Sequence, residues 1–192
     1  MLISENAPPM HLNCRCGTSA SMGPEGDVNY AKSFDDSIKQ NIHESMWIYS
    51  LEYTRKELLK SPVGIDTINA IKNSDVIINV INMRMHPTGA RGEQFGDRID
   101  IFARQCQNEL VFSQTIVHEM AHCRFGIGEC QHAEAICFAM EKMHKERRDY
   151  LKPNEWEYVK KLAQDVYSDL KWEDGGYGNY EQFDFVRDNK SL

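Results

Sequence analysis

His118 and His122 stand four residues apart in Thr115-Ile116-Val117-His118-Glu119-Met120-Ala121-His122, and that spacing leaves the surrounding chain little choice of conformation. On an α-helix both imidazoles project from one face, where they can share one metal ion. Glu119, one step round from His118, lies beside such an ion rather than on it. Its carboxylate can take a proton from a water that the ion activates. The local sequence supports a helix. Val111, Phe112, Ile116 and Val117 supply apolar mass, Ser113 is placed as an N-cap, and Gly126 and Gly128 predict an end near Phe125. The plainer alternative is two helix-face histidines with an unrelated glutamate between them.

A catalytic zinc site takes three protein ligands and keeps a fourth position open. The third ligand is expected on a second helix over residues 129–140. There Ala133, Ile136, Cys137 and Met140 recur at helical spacing and form a face able to pack on the first helix. Three residues compete for the metal. Glu129 is close to the turn and is equally explained as a first-turn acid facing the helix dipole. His132 gives a three-histidine site, and Glu134 gives two histidines and a glutamate.

Together, His118-Glu119-Met120-Ala121-His122 and Ala133-Glu134-Ala135-Ile136-Cys137-Phe138-Ala139 resemble the gluzincin side of the zincin superfamily, above all the ImmA/IrrE-type metallopeptidases. The resemblance spans residues 97–145. It implies Zn2+ held by His118, His122 and Glu134, with Ala135, Phe138 and Ala139 matching the rest of the second motif. It further implies a peptide substrate and Glu119 as the catalytic proton acceptor. A metzincin would need a histidine where Gly128 stands. His86, Arg124 and Tyr177 are candidates for stabilising the oxyanion, although none has a fixed spacing to the motif.

Around this centre the chain is expected to divide into an irregular segment over residues 1–27 and, as the resemblance implies, a zincin-like metallopeptidase domain over residues 28–192. The first contains Pro8-Pro9 and several Gly- and Ser-rich stretches. Within it, His11-Leu12-Asn13-Cys14-Arg15-Cys16 offers half of a small metal site. This short segment is similar to the end of the Mu F-type phage head-morphogenesis family. That resemblance implies a phage or prophage setting, the C-terminal part of a longer head protein, and a toxin-type effector with phage head proteins or an immunity protein as partners.

Residues 28–60 show helical recurrence of Phe34, Ile38 and Ile42, with a stop at Ser61-Pro62-Val63-Gly64; residues 65–73 are expected to form a short helix or turn. Residues 76–82 and 97–103 are β-branched and predict two strands, with a polar loop over 84–96. In zincins the strand before the active helix edges a peptide cleft, which the resemblance would place at Ile101 to Arg104. Asn154 is expected to cap a last helix over residues 155–170. The Gly- and Tyr-rich stretch 175–180 is expected to be a packed or frayed end, with a lid over the site as the alternative. The expected fold class is therefore α+β: mostly helical and zincin-like, with a small β-sheet beside the active-site helix.

Composition limits the partners. The 192 residues carry a net charge of −7, which argues against a nucleic-acid or anionic-membrane surface. No apolar run approaches a membrane span, and residues 1–6 do not resemble a secretory signal, so a cytoplasmic or phage-particle location is expected. The six cysteines are expected to be reduced thiols, mostly small buried side chains, with a thiolate-containing metal site as the alternative. The competing function is a non-catalytic, zinc-stabilised structural or binding domain of a phage head protein, its site closed by Cys130 or His132.

Overall fold

The computed structural model describes residues 38–40, 51–81, 89–125, 130–172 and 185–187. Within them the fold is α+β and mostly helical. The strands are β1 (Ile38–Gln40), β2 (Ile77–Ile81), β3 (Gly92–Phe95) and β4 (Arg98–Phe102). The helices are α1 (Leu51–Leu58), α2 (Pro62–Lys72), α3 (Glu109–Phe125), α4 (Gln131–Lys145) and α5 (Pro153–Val166).

The sheet order is β1-β2-β4-β3, with β1 and β4 parallel to β2 and β3 antiparallel to β4. Two strands depart from expectation. Ile38 belongs to β1, pairing with Ile78, rather than to a helix. A three-residue strand leaves no periodicity to read, and its pairing partner lies forty residues away. β3 falls inside the expected polar loop. It is short, and Gly92, Glu93 and Gln94 are weak strand formers. Pairing with β4 across the tight Gly96-Asp97 turn makes it a strand, and Gly96 adopts φ 59°, a conformation glycine reaches without steric cost. β4 is hydrogen-bonded on both sides, so it offers no free edge to a peptide. The sheet instead ends at β3, which corrects the placing of a cleft at Ile101 to Arg104.

Helix boundaries also shift for local reasons. The helix before Ser61 does stop, at Leu58, and Ser61 begins the next one: its side chain caps α2, accepting from the Gly64 amide at 2.9 Å, and Pro62 takes the first helical position. α3 starts earlier than expected. The Asn108 side chain accepts from the Val111 amide at 3.0 Å, while Ser113 lies inside the helix. For α5 the cap position is Lys152 rather than Asn154. Pro153 opens the helix and the Glu155 carboxylate accepts from the Lys152 amide at 2.8 Å.

α3 is the centre of the molecule. It packs against β3 and β4 on one side and against α1, α2 and α4 on the others. Every residue from Phe112 to His122 is buried. Phe112 and Ile116, both fully buried, join Leu58, Ile71, Ile99, Ile101, Ile136 and Met143 in one core. Each such side chain contributes about 1.5–3 kcal/mol by leaving water. α4 is enclosed between α3 and α5, so its burial runs almost all round rather than along the single apolar face expected.

Candidate metal centre

The buried stretch of α3 contains Ser113, Gln114, Thr115, His118, Glu119 and His122, all polar. Burying such groups costs free energy unless each is satisfied, so their concentration on one helix marks a site. Some are met locally. Thr115 Oγ1 donates to the Val111 carbonyl at 2.9 Å, and Gln114 Nε2 donates to the Glu141 carbonyl at 3.4 Å. Ser113 Oγ donates to the Leu110 carbonyl at 2.8 Å, so it accepts from His144 Nε2 at 2.9 Å. The other ring nitrogen, Nδ1, lies 2.6 Å from Ser61 Oγ. Burial pushes the His144 pKa down to about 4, and a neutral ring tied to two helices results.

The two histidines of α3 meet Glu134 of α4. Glu134 Oε2 is 3.3 Å from His118 Nε2, and Oε1 is 3.5 Å from His122 Nε2. All three side chains are 0% exposed. Neither carboxylate oxygen makes a hydrogen bond of ordinary geometry. Nitrogen and oxygen donors held at about 2.0–2.2 Å around one tetrahedral ion lie about 3.3–3.6 Å apart, so these separations fit a shared metal. Glu141 is paired with Arg91, while Glu134 faces the two imidazoles.

Glu119 is 0% exposed and lies against the start of β3. A Cβ added at Gly92 would fall 2.8 Å from its Oε1 and 2.9 Å from its Cγ, so only glycine lets the strand approach this carboxylate so closely.

Behind His118 lies a pair that sequence reasoning missed. Glu141 Oε1 is 2.7 Å from His118 Nδ1, and Glu141 Oε2 is 3.1 Å from an Arg91 guanidinium nitrogen. Burial opposes the charged form of Glu141, but Arg91 and His118 outweigh it and hold its pKa below the ordinary carboxylate value. An ionised carboxylate only accepts, so His118 Nδ1 carries the proton and its Nε2 is turned towards Glu134. In the sequence Glu141 opens a charged stretch running to Arg148, which by itself suggests a solvent-facing continuation of the helix. Its position seven residues after Glu134, on the same helix face, was the available signal; nothing in the sequence marks Arg91.

Burial also opposes the charged form of Glu134, while His122, His118 and the Tyr167 hydroxyl pull its pKa down. For His118, burial favours the neutral ring, yet Cys137, Glu134 and Glu141 together raise its pKa well above the usual value. These opposed pulls come from packing several ionisable groups into one dry space.

The remaining candidates separate. His132 stacks on Trp172, ring centroids 4.8 Å apart. The Cys130 sulfur caps α4, accepting from the Ala133 amide at 3.3 Å. Cys123 donates to the Gly96 carbonyl. Arg124 is exposed and lies over the Phe125 ring. Glu129, His86, Tyr177 and the His11-Cys14-Cys16 segment lie outside the described residues. The described cysteines are free thiols, and Cys137 joins the two histidines: one ligand atom from each of His118, His122 and Cys137 lies within 4.8 Å of the others. Among the described residues no helix is long and apolar enough to cross a membrane.

Comparison with protein-family models, with curated proteins and with solved structures found no match for this chain.

Proposed function

We propose that the protein is a zinc-dependent metallopeptidase whose centre is His118, His122 and Glu134 with Glu119 as the proton-transfer group. The observation that carries this reading is the approach of Glu134 to both histidine Nε2 atoms, beside a glutamate buried against Gly92. The ion would be held by those three side chains. When bound, it supplies Lewis acidity, polarising a carbonyl and making a water acidic near neutral pH. Glu119 accepts the proton of the attacking water and passes it to the leaving amine. Gly92 fixes where that carboxylate sits, and the Arg91–Glu141 pair fixes the tautomer of His118. β3, as the edge strand beside Glu119, is the segment on which an extended peptide would pair. The phage setting and toxin role rest on residues 9–17 alone and draw nothing from the site.

One observation favours a second reading. The metal donors and Glu119 are buried, as in a non-catalytic centre that only ties α3 to α4. Glu119 separates the two. Metal content is measured first, with His118→Ala as the control, and a peptide library is then digested with native protein and Glu119→Gln. A catalytic centre predicts one zinc per chain in both folded proteins and a loss of turnover of about 100-fold or more in the variant. Native protein that holds zinc but cleaves nothing, or equal cleavage by the variant, defeats the peptidase reading.

A further inference from the structure

Cys137 is the donor that the peptidase reading leaves unused. It sits one helical turn beyond Glu134 on the same face of α4, and it is 0% exposed. Its ligand atom and those of His118 and His122 all lie within 4.8 Å of one another. The Glu134 carboxylate, fully buried and without a hydrogen bond of ordinary geometry, approaches the same two imidazoles from the same helix, 3.3 Å from His118 Nε2 and 3.5 Å from His122 Nε2. Two helices thus present four donors to one dry space: two imidazoles from α3, a carboxylate and a sulfur from α4. A thiolate is among the strongest zinc donors available to a protein.

We propose that Cys137 is a fourth protein ligand, so that the resting metal ion is closed by His118, His122, Glu134 and Cys137. This rests on the metal-centre reading above and adds a property to it. A centre with four protein ligands lacks the open position that catalysis needs. The Cys137 sulfur therefore withdraws transiently to open that position during turnover, and the native chain cleaves, but more slowly than it would without the thiol. Ligation breaks the S–H bond and forms a sulfur–metal bond, and the thiol proton passes to solvent. Withdrawal is the reverse: the sulfur–metal bond breaks and the sulfur takes a proton back. Because Cys137 and Glu134 share a helix face, a small rotation of α4 changes the distance of both from α3.

The experiment uses the full chain, stripped of metal and titrated with Co2+. The native protein should develop tetrahedral d–d bands and a thiolate-to-cobalt charge-transfer band, both saturating at one ion per chain. Cys137→Ala should lose the charge-transfer band and keep the d–d bands; His118→Ala should lose both. If Cys137→Ala fails to fold, zinc X-ray absorption on the native protein answers the same question, with one sulfur expected at about 2.3 Å among nitrogen and oxygen donors. A native spectrum with d–d bands dependent on His118 but no charge-transfer band, or a zinc shell without sulfur, overturns thiolate ligation and leaves the metal centre standing. A charge-transfer band that survives either variant belongs to another cysteine and also overturns the proposal. Absence of any cobalt or zinc binding overturns both this inference and the reading beneath it.

Discussion

Replacing Glu141 by glutamine tests the logic of the centre without touching a metal donor. The carboxylate takes His118 Nδ1 on Oε1 at 2.7 Å and Arg91 on Oε2 at 3.1 Å. Glutamine is almost isosteric, but it has one acceptor and one donor where glutamate has two acceptors. With its oxygen towards His118, its NH2 faces the Arg91 guanidinium, donor against donor. Flipped, its NH2 faces Nδ1, which must then accept, and the proton moves to Nε2, the atom turned towards Glu134. Either orientation spoils one side. Outer partners of metal-bound histidines are worth roughly 10–100-fold in metal affinity, or about 1.4–2.7 kcal/mol. Arg91 also loses its buried counter-charge, with side-chain exposures of 11% and 7% for the pair. Removing one partner of a buried pair costs up to about 3–5 kcal/mol, and the retained hydrogen bond should hold the loss below that. Zinc affinity would be measured by competition with a chromophoric chelator, and apo-protein stability by urea unfolding. A folded variant that binds zinc as tightly as the native chain refutes the assignment of Glu141 as the group that fixes the His118 tautomer.

Three further outcomes are expected. Gly92→Ala places a methyl group against Glu119 and Thr115 Cγ2, each under 3.0 Å, and should cost about 1–3 kcal/mol; an unchanged urea midpoint would contradict that contact. His144 is neutral in the fold at a pKa of about 4 but has an ordinary value of 6.5 when unfolded, so the unfolded chain binds the extra proton between them. Stability should be full above pH 6.5 and fall as pH drops through about 4, by up to about 3 kcal/mol from this group, and His144→Gln should flatten that part of the urea-midpoint profile. Asn108→Ala removes the cap of α3 and should cost about 1 kcal/mol in thermal or urea unfolding; a negligible change would move the start of the helix elsewhere.

Much of the site was legible because its information is local. The spacing of His118 and His122 places both rings on one helix face whatever surrounds them, and α3 ends at Phe125 where glycines follow. The apolar runs likewise located β2, β4 and the bodies of α4 and α5. Caps were less legible: Asn108, Ser61 and Lys152 act through side chains or backbone geometry that several neighbouring residues could equally have supplied.

What the sequence by itself determined is therefore the chemistry of one helix: two imidazoles and a carboxylate at intervals that only an α-helix makes useful. Which partners reach them was decided by the tertiary structure. Packing α4 along α3 aims Glu134, Cys137 and Glu141 at the histidines and turns His132 towards Trp172 instead. Pairing β3 to β4 brings Gly92 against Glu119 and sets Arg91 beside Glu141. The physical reason is one of range. Helical periodicity fixes direction over a few residues, whereas the distance between side chains 27 or 50 positions apart depends on how whole elements pack.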